Sequence, residues 1–149
     1  MFIGIDDTDS ERGLCTTYLA AVLMERLRPL GKLVGRPRLI RLNPCARFKT
    51  RGNAALAFQL ESERVDEVRD TALRTLLELS DFSGANTNPG LVIAEEVTGR
   101  MNEFYRRAVT EILEIEEARR LLDREDIWYR GFKKGRGLIG ALAAVGADL

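Results

Sequence analysis

The chain has 149 residues, of which 45% are hydrophobic and 31% charged, a composition that supports one globular domain with its own core and excludes a disordered or fibrous protein. Lys plus Arg and Asp plus Glu both total 23, so no global field draws the protein toward nucleic acid or anionic lipid, and any polyanion site has to be local. His is absent and Cys occurs twice, which excludes a Ser-His-Asp triad, a Cys-His pair, a His general base and a four-Cys or His-ligated zinc site within this chain.

In chain order, the apolar run at 1–5 stops at Asp6-Asp7-Thr8-Asp9 and predicts a buried strand that ends in an acidic loop. Leu19, Val22, Leu23, Leu27 and Leu30 recur at helical spacing and predict a helix over 16–30, with Thr16 or Thr17 as N-cap and Pro29-Leu30-Gly31 as its stop. Residues 32–42 predict a strand broken by Pro37, with Arg36, Arg38 and Arg41 on a basic face. A basic loop over 43–53 leads into a strand at 54–60. A strong helical pattern over 62–79 ends in a loop over 80–90 that carries Asn86-Thr87-Asn88-Pro89-Gly90.

A short strand at 91–94, helices over 98–112 and 115–123, and an aromatic strand at 127–129 follow, then a glycine-rich turn and an apolar, helix-like segment at 138–145. The order predicts an α/β fold, with α+β as the alternative: a mixed β-sheet with packed helices in a single domain over 1–149. The apolar run at 18–24 is too short to span a bilayer, and no charged leader precedes a cleavage site, so the expectation is a cytoplasmic protein with no membrane partner. Cys15 and Cys45 have no secretory context that would favour a disulfide.

Asp6, Asp7 and Asp9 place three carboxylates within four residues at a strand end, where they can converge on one cation. Mg²⁺ takes such oxygen ligands and keeps waters and phosphates in its remaining positions. The bland alternative is an exposed acidic turn that caps a helix. Two known aspartate motifs fail here. A haloacid dehalogenase-type loop has Thr or Val where Glu11 stands, and an EF-hand starting at Asp7 has Gly and Glu where Arg12 and Tyr18 stand. Downstream, Thr16 and Thr17 either cap the first helix or meet phosphate at its N-terminus.

Two basic loops carry glycine. Arg41-Leu42-Asn43-Pro44 with Lys49-Thr50-Arg51-Gly52-Asn53 offers guanidinium, ammonium and amide donors to phosphate, against the alternative of a solvated basic face. Lys134-Gly135-Arg136-Gly137-Leu138-Ile139-Gly140 contains Gly-x-Gly-x-x-Gly, but no later strand with an acidic ribose partner remains, so a phosphate loop is favoured over a dinucleotide fold. Gly-x-x-x-x-Gly-Lys-Ser/Thr does not occur, which excludes a P-loop NTPase.

Together with Gly4-Ile5-Asp6-Asp7-Thr8-Asp9-Ser10, Gly13-Leu14-Cys15-Thr16-Thr17-Tyr18-Leu19 and Pro37-Arg38-Leu39-Ile40-Arg41-Leu42-Asn43-Pro44, these loops resemble the archaeal tRNA-isoleucine agmatinylcytidine synthetase family, TiaS, over essentially the whole chain. Members use ATP and agmatine to modify the wobble cytidine in the anticodon of an isoleucine tRNA. The resemblance implies an N-terminal, kinase-like ATP-binding domain of a longer synthetase, whose further ferredoxin-like, OB-fold and zinc-ribbon parts grip tRNA. It implies Mg²⁺ at Asp6, Asp7 and Asp9, and a catalytic set of Asp7, Thr16, Lys134 and Arg136 in which Thr16 becomes phosphorylated. It further implies nucleotide binding by Asp6, Thr8, Thr17 and Arg41, with Lys49, Arg51, Gly135 and Gly137 around the phosphates.

Two other classes compete with an enzyme. A non-catalytic RNA-binding module would use the basic loops alone, but zero net charge and few aromatic residues (one Trp, three Tyr, six Phe) disfavour it. A regulatory nucleotide-binding domain would bind ATP without turnover.

Overall fold

A computed structural model describes residues 1–47 and 53–148. Among these described residues five strands are formed: β1 (Phe2–Asp6), β2 (Lys32–Arg41), β3 (Ala54–Glu61), β4 (Gly90–Ala94) and β5 (Trp128–Gly131). Five α-helices accompany them: α1 (Thr16–Leu27), α2 (Val65–Leu79), α3 (Gly99–Thr110), α4 (Ile115–Arg124) and α5 (Gly137–Val145). The sheet order is β2-β3-β1-β4-β5.

The α/β expectation holds, but every neighbouring pair is antiparallel where a mixed sheet was expected. The reason is topological. The β1-α1-β2 crossover spans β3, and the β3-α2-β4 crossover spans β1, so the strands of each of these two pairs run parallel without being neighbours. This is the split βαβ arrangement.

Strand alternation divides the core into two layers. Ile3 and Ile5 of β1, Leu56, Phe58 and Leu60 of β3, and Leu91 and Ile93 of β4 face α1 and α2. The intervening Ala55, Ala57, Val92 and Ala94 face α5, α3 and α4. Ile3 and Ile5 are both fully buried, each worth about 1.5–3 kcal/mol of apolar transfer.

The second layer is built from small residues because α5 lies almost on the sheet. A Cβ on Gly4 would strike the Ala141 carbonyl and Val145, and one on Gly137 would meet Gly90 N, Asp6 O at 2.7 Å and Asn88 O at 2.8 Å. Covered by α3 and α4 on its other side, α5 is buried on nearly every face, as its uniformly apolar sequence requires.

Two local expectations are corrected. Neither Thr16 nor Thr17 is the N-cap of α1: Cys15 holds that place with extended backbone and no side-chain cap bond, and Thr16 is the first helical residue. Pro37 does not end β2, because on an edge strand its missing N–H is absorbed by a register shift between Val34 and Arg38. No helix among the described residues is long and apolar enough to cross a membrane.

Candidate nucleotide and metal site

The C-terminal end of β1 opens into a cleft of about 130 Å³ between the end of β2, the end of α3 and the start of α5. Asp6, Asp7 and Arg136 form its charged end. Leu42, Ala108, Ile112, Leu113 and Ile139 give apolar walls, with the amides of Asn43 and Asn53 among them. Residues from four distant stretches therefore meet in one place. Asn43 N–H donates to Ala108 O at 3.1 Å, and Asn53 Nδ2 donates to Asn43 O at 2.7 Å, which ties the start of the 43–53 loop to its end and to α3.

Burial, followed by the charge of Asp7, pushes the Asp6 carboxyl well above its ordinary range, with Asp9 adding to the rise and a backbone hydrogen bond from Asp7 opposing it. Burial likewise raises Asp7 to about 6, against the pull of the Asn88 N–H and the Arg136 guanidinium, with Asp9 raising it further. Asp7 holds a left-handed backbone, φ 57°, a conformation costly for a non-glycine residue. Two crowded carboxylates that resist ionisation in the free protein fit a divalent cation, which supplies the missing positive charge.

The three-carboxylate group expected of Asp6, Asp7 and Asp9 is not preformed: among the described residues no three His, Cys, Asp or Glu side chains are gathered as a metal-holding cluster. The loop is held by its backbone instead. Thr87 Oγ1 donates to Asp9 O at 2.7 Å, Asp81 N–H donates to Thr8 O at 3.0 Å, and Ser10 Oγ donates to Asp81. Asp6 with Asp7 is the pair of carboxylates here that could hold a divalent cation.

Thr8 and Thr16 are both buried, and Thr8 Oγ1 donates to Thr16 Oγ1 at 3.0 Å. Thr17 points outward, in a 2.8 Å contact with Cys15 Sγ, and Arg41 is exposed on β2; neither lines the cleft. Lys134 has an exposed side chain and enters the site through its backbone N–H. Gly135 takes φ 69°, and Gly137 starts α5 against Asp6 and Asn88. Lys49 and Arg51 lie outside the described residues.

Sequence reading missed Asn88, although its loop was noted. Its N–H donates to Asp7 Oδ2 at 2.9 Å, and its side-chain oxygen accepts from Lys134 N–H at 3.1 Å. A polar residue set directly before Pro89-Gly90 at a strand start was the available signal. The apolar wall at the end of α3 was missed as well: Ala108 lies inside the helix predicted over 98–112 and Leu113 between that helix and the next, with no local sign that either faces a cleft.

The TiaS TCKD domain model matches residues 2–64. The chain is 48% identical to the isoleucine-tRNA 2-agmatinylcytidine synthetase TiaS of Archaeoglobus fulgidus, and 46% identical to that of Methanosarcina mazei, over its full length in both cases. The chain belongs to the TiaS family. It spans 36% of the length of these two relatives. Its structure is similar to a crystal structure of TiaS in complex with isoleucine tRNA and ATP, with a TM-score of 0.95 and 49% identity, covering 99% of this chain and 36% of that one. It is also similar to a complex of TiaS with isoleucine tRNA, AMPCPP and agmatine, with a TM-score of 0.92 and 46% identity over the same shares of the two chains. Within the TiaS family match, residues 2–64 cover the acidic loop and both ends of the 43–53 loop, whereas the glycine loop and α5 come from the remainder.

Proposed function

We propose that this chain is the ATP- and Mg²⁺-binding, kinase-like part of a cytoplasmic isoleucine-tRNA 2-agmatinylcytidine synthetase. It activates the anticodon wobble cytidine of isoleucine tRNA by phosphoryl transfer, so that agmatine can displace the activating group. The observation that carries this reading is the meeting of Asp6, Asp7 and Arg136 at one end of a cleft that also has an apolar wall of Leu42, Ala108, Ile112, Leu113 and Ile139.

The cleft offers its charged end to phosphates and its Leu42, Ile112 and Ile139 wall to the apolar face of a base. Asp6 and Asp7 would hold a Mg²⁺ ion, which would supply positive charge to offset the negative charge that develops on phosphate during transfer. Arg136 contributes a fixed guanidinium beside Asp7. The N–H groups of the glycine turn are anchored on Asn88, which fixes the approach of a polyphosphate to the start of α5. Thr16 holds its hydroxyl against Thr8 at the first turn of α1, and it is the group assigned to accept phosphate. That the similar solved structures include complexes with isoleucine tRNA, ATP and agmatine supports the choice of substrates.

The test is calorimetric titration of ATP into the purified protein, with and without Mg²⁺, using Asp7→Ala as the control. Metal-dependent binding that disappears in the variant is the expected result. Equal binding by a folded Asp7→Ala protein would remove the metal assignment.

A further inference from the structure

Asn88 is 1% exposed, and all four of its polar groups are used. Its N–H donates to Asp7 Oδ2 at 2.9 Å and its carbonyl accepts from Gly137 N–H at 2.9 Å. Its Oδ1 accepts from Lys134 N–H at 3.1 Å, and its Nδ2 donates to Asn86 O at 2.9 Å. Burying an amide is unfavourable unless each group is paired, so a fully paired one fixes its surroundings in a single arrangement.

Asn88 bonds one left-handed residue, Asp7, and a second residue, Lys134, that lies between two others. Asp7 at φ 57°, Lys133 at φ 55° and Gly135 at φ 69° are all left-handed. Non-glycine residues in that region cost about 1–3 kcal/mol each and persist where neighbouring structure over-determines them. Asn88 touches Asp7 through its backbone and the turn at 133–136 through its side chain. It is thus the common partner of the metal-facing and the phosphate-facing halves of the cleft.

We propose that Asn88 is a positioning residue: its side-chain oxygen holds the 133–136 turn at a fixed separation from Asp7, so that both halves are set before a metal-bound triphosphate arrives. The proposal rests on the nucleotide reading above. The gain is preorganisation, in which the ordering of the turn is complete before binding.

The test combines calorimetry of Mg·ATP with amide hydrogen exchange at Lys134, in wild type, Asn88→Ala and Asn88→Asp. Removing the acceptor in Asn88→Ala is expected to speed Lys134 exchange and weaken Mg·ATP binding about tenfold. Asn88→Asp keeps an oxygen for Lys134 but loses the donor to Asn86 and adds a buried carboxylate near Asp7, so it is read by exchange alone, and Lys134 is expected to stay slow. That variant carries the test alone if Asn88→Ala does not fold. A folded Asn88→Ala protein that binds as wild type overturns the proposal, as does a folded Asn88→Asp protein in which Lys134 exchanges fast. A wild-type protein that fails to bind Mg·ATP overturns the nucleotide reading itself, an outcome distinct from a loss confined to the variants.

Discussion

The carboxylate of Asp6 occupies the space that a side chain at Gly140 would fill: a Cβ built there falls inside the Asp6 carboxyl group. Elsewhere in a helix, Gly→Ala gains roughly 1 kcal/mol from backbone entropy. Here Gly140→Ala is expected to lose stability by about 1–3 kcal/mol, because the new methyl has to displace a packed carboxylate or shift α5 off the sheet. Mg·ATP affinity should fall with it, since Asp6 is pushed from the cleft. Thermal melting and calorimetry on the same samples check both parts, and a stabilised variant with unchanged affinity would show that Asp6 and Gly140 are not coupled.

Asp7 titrates at about 6 against an ordinary 3.8. Between those values the folded protein keeps a proton that the unfolded chain has released, so stability falls as pH rises from about 4 to 6 and stays low above that. At about 1.4 kcal/mol per pH unit, Asp7→Asn should stabilise the metal-free protein by about 1–3 kcal/mol at pH 7.5 and leave it nearly unchanged below pH 4. Part of the gain comes through Asp6, whose pKa the Asp7 charge raises. Urea unfolding at the two pH values, with chelator present, reads this directly. Binding of Mg·ATP has the opposite dependence, because a ligating carboxylate has to be ionised, and should weaken as pH falls through 6. An Asp7→Asn protein less stable than wild type at pH 7.5 would mean that the carboxylate is not a site of stored electrostatic strain.

What the sequence made legible follows the range of the interactions. Strand alternation in β1, β3 and β4 and the periodicity of α2 are local, and they placed those elements within a few residues of their observed bounds. The acidic strand end and the glycine loop were visible as composition, and the structure brings Asp6, Asp7 and Arg136 to one cleft. Strand order was not visible, because a helix between two strands gives no sign that a third strand lies between them. Asn88 was not visible as a site residue because its bonds reach Asp7, 81 positions away, and Lys134, 46 away. The N-cap of α1 was expected at Thr16 or Thr17 because hydroxyl residues favour that place, whereas Cys15 holds it and the Thr16 hydroxyl is bonded to Thr8.

Arg136 is one of the groups that hold the Asp7 pKa down. Arg136→Ala should therefore move the pH midpoint of Mg·ATP binding upward, and weaken binding at neutral pH by removing a phosphate-facing cation. Arg136→Lys, which keeps the charge but loses the planar fork, should restore the midpoint better than the affinity. Calorimetric titrations from about pH 5.5 to about pH 8.5 separate these two effects. A midpoint unchanged in Arg136→Ala would show that its charge is not felt at Asp7.

Thr8 and Thr16 supply the last prediction. Thr8 is 1% exposed and Thr16 8%, and the 3.0 Å bond between their hydroxyls is the contact that sets the rotor of Thr16. Thr8→Val is similar in shape but leaves the Thr16 hydroxyl without that partner, at a cost of about 1–2 kcal/mol in stability. If Thr16 accepts phosphate, its oxygen has to be aligned with the transferred group, and loss of alignment acts on rate more than on nucleotide affinity. Incubation with γ-labelled ATP and site mapping by mass spectrometry should find label on Thr16 in wild type, label accumulating about tenfold more slowly in Thr8→Val, and none in Thr16→Val. Mg·ATP affinity should change little in Thr8→Val. Label that persists in Thr16→Val would move the acceptor to another hydroxyl and reduce the Thr8–Thr16 bond to a structural contact.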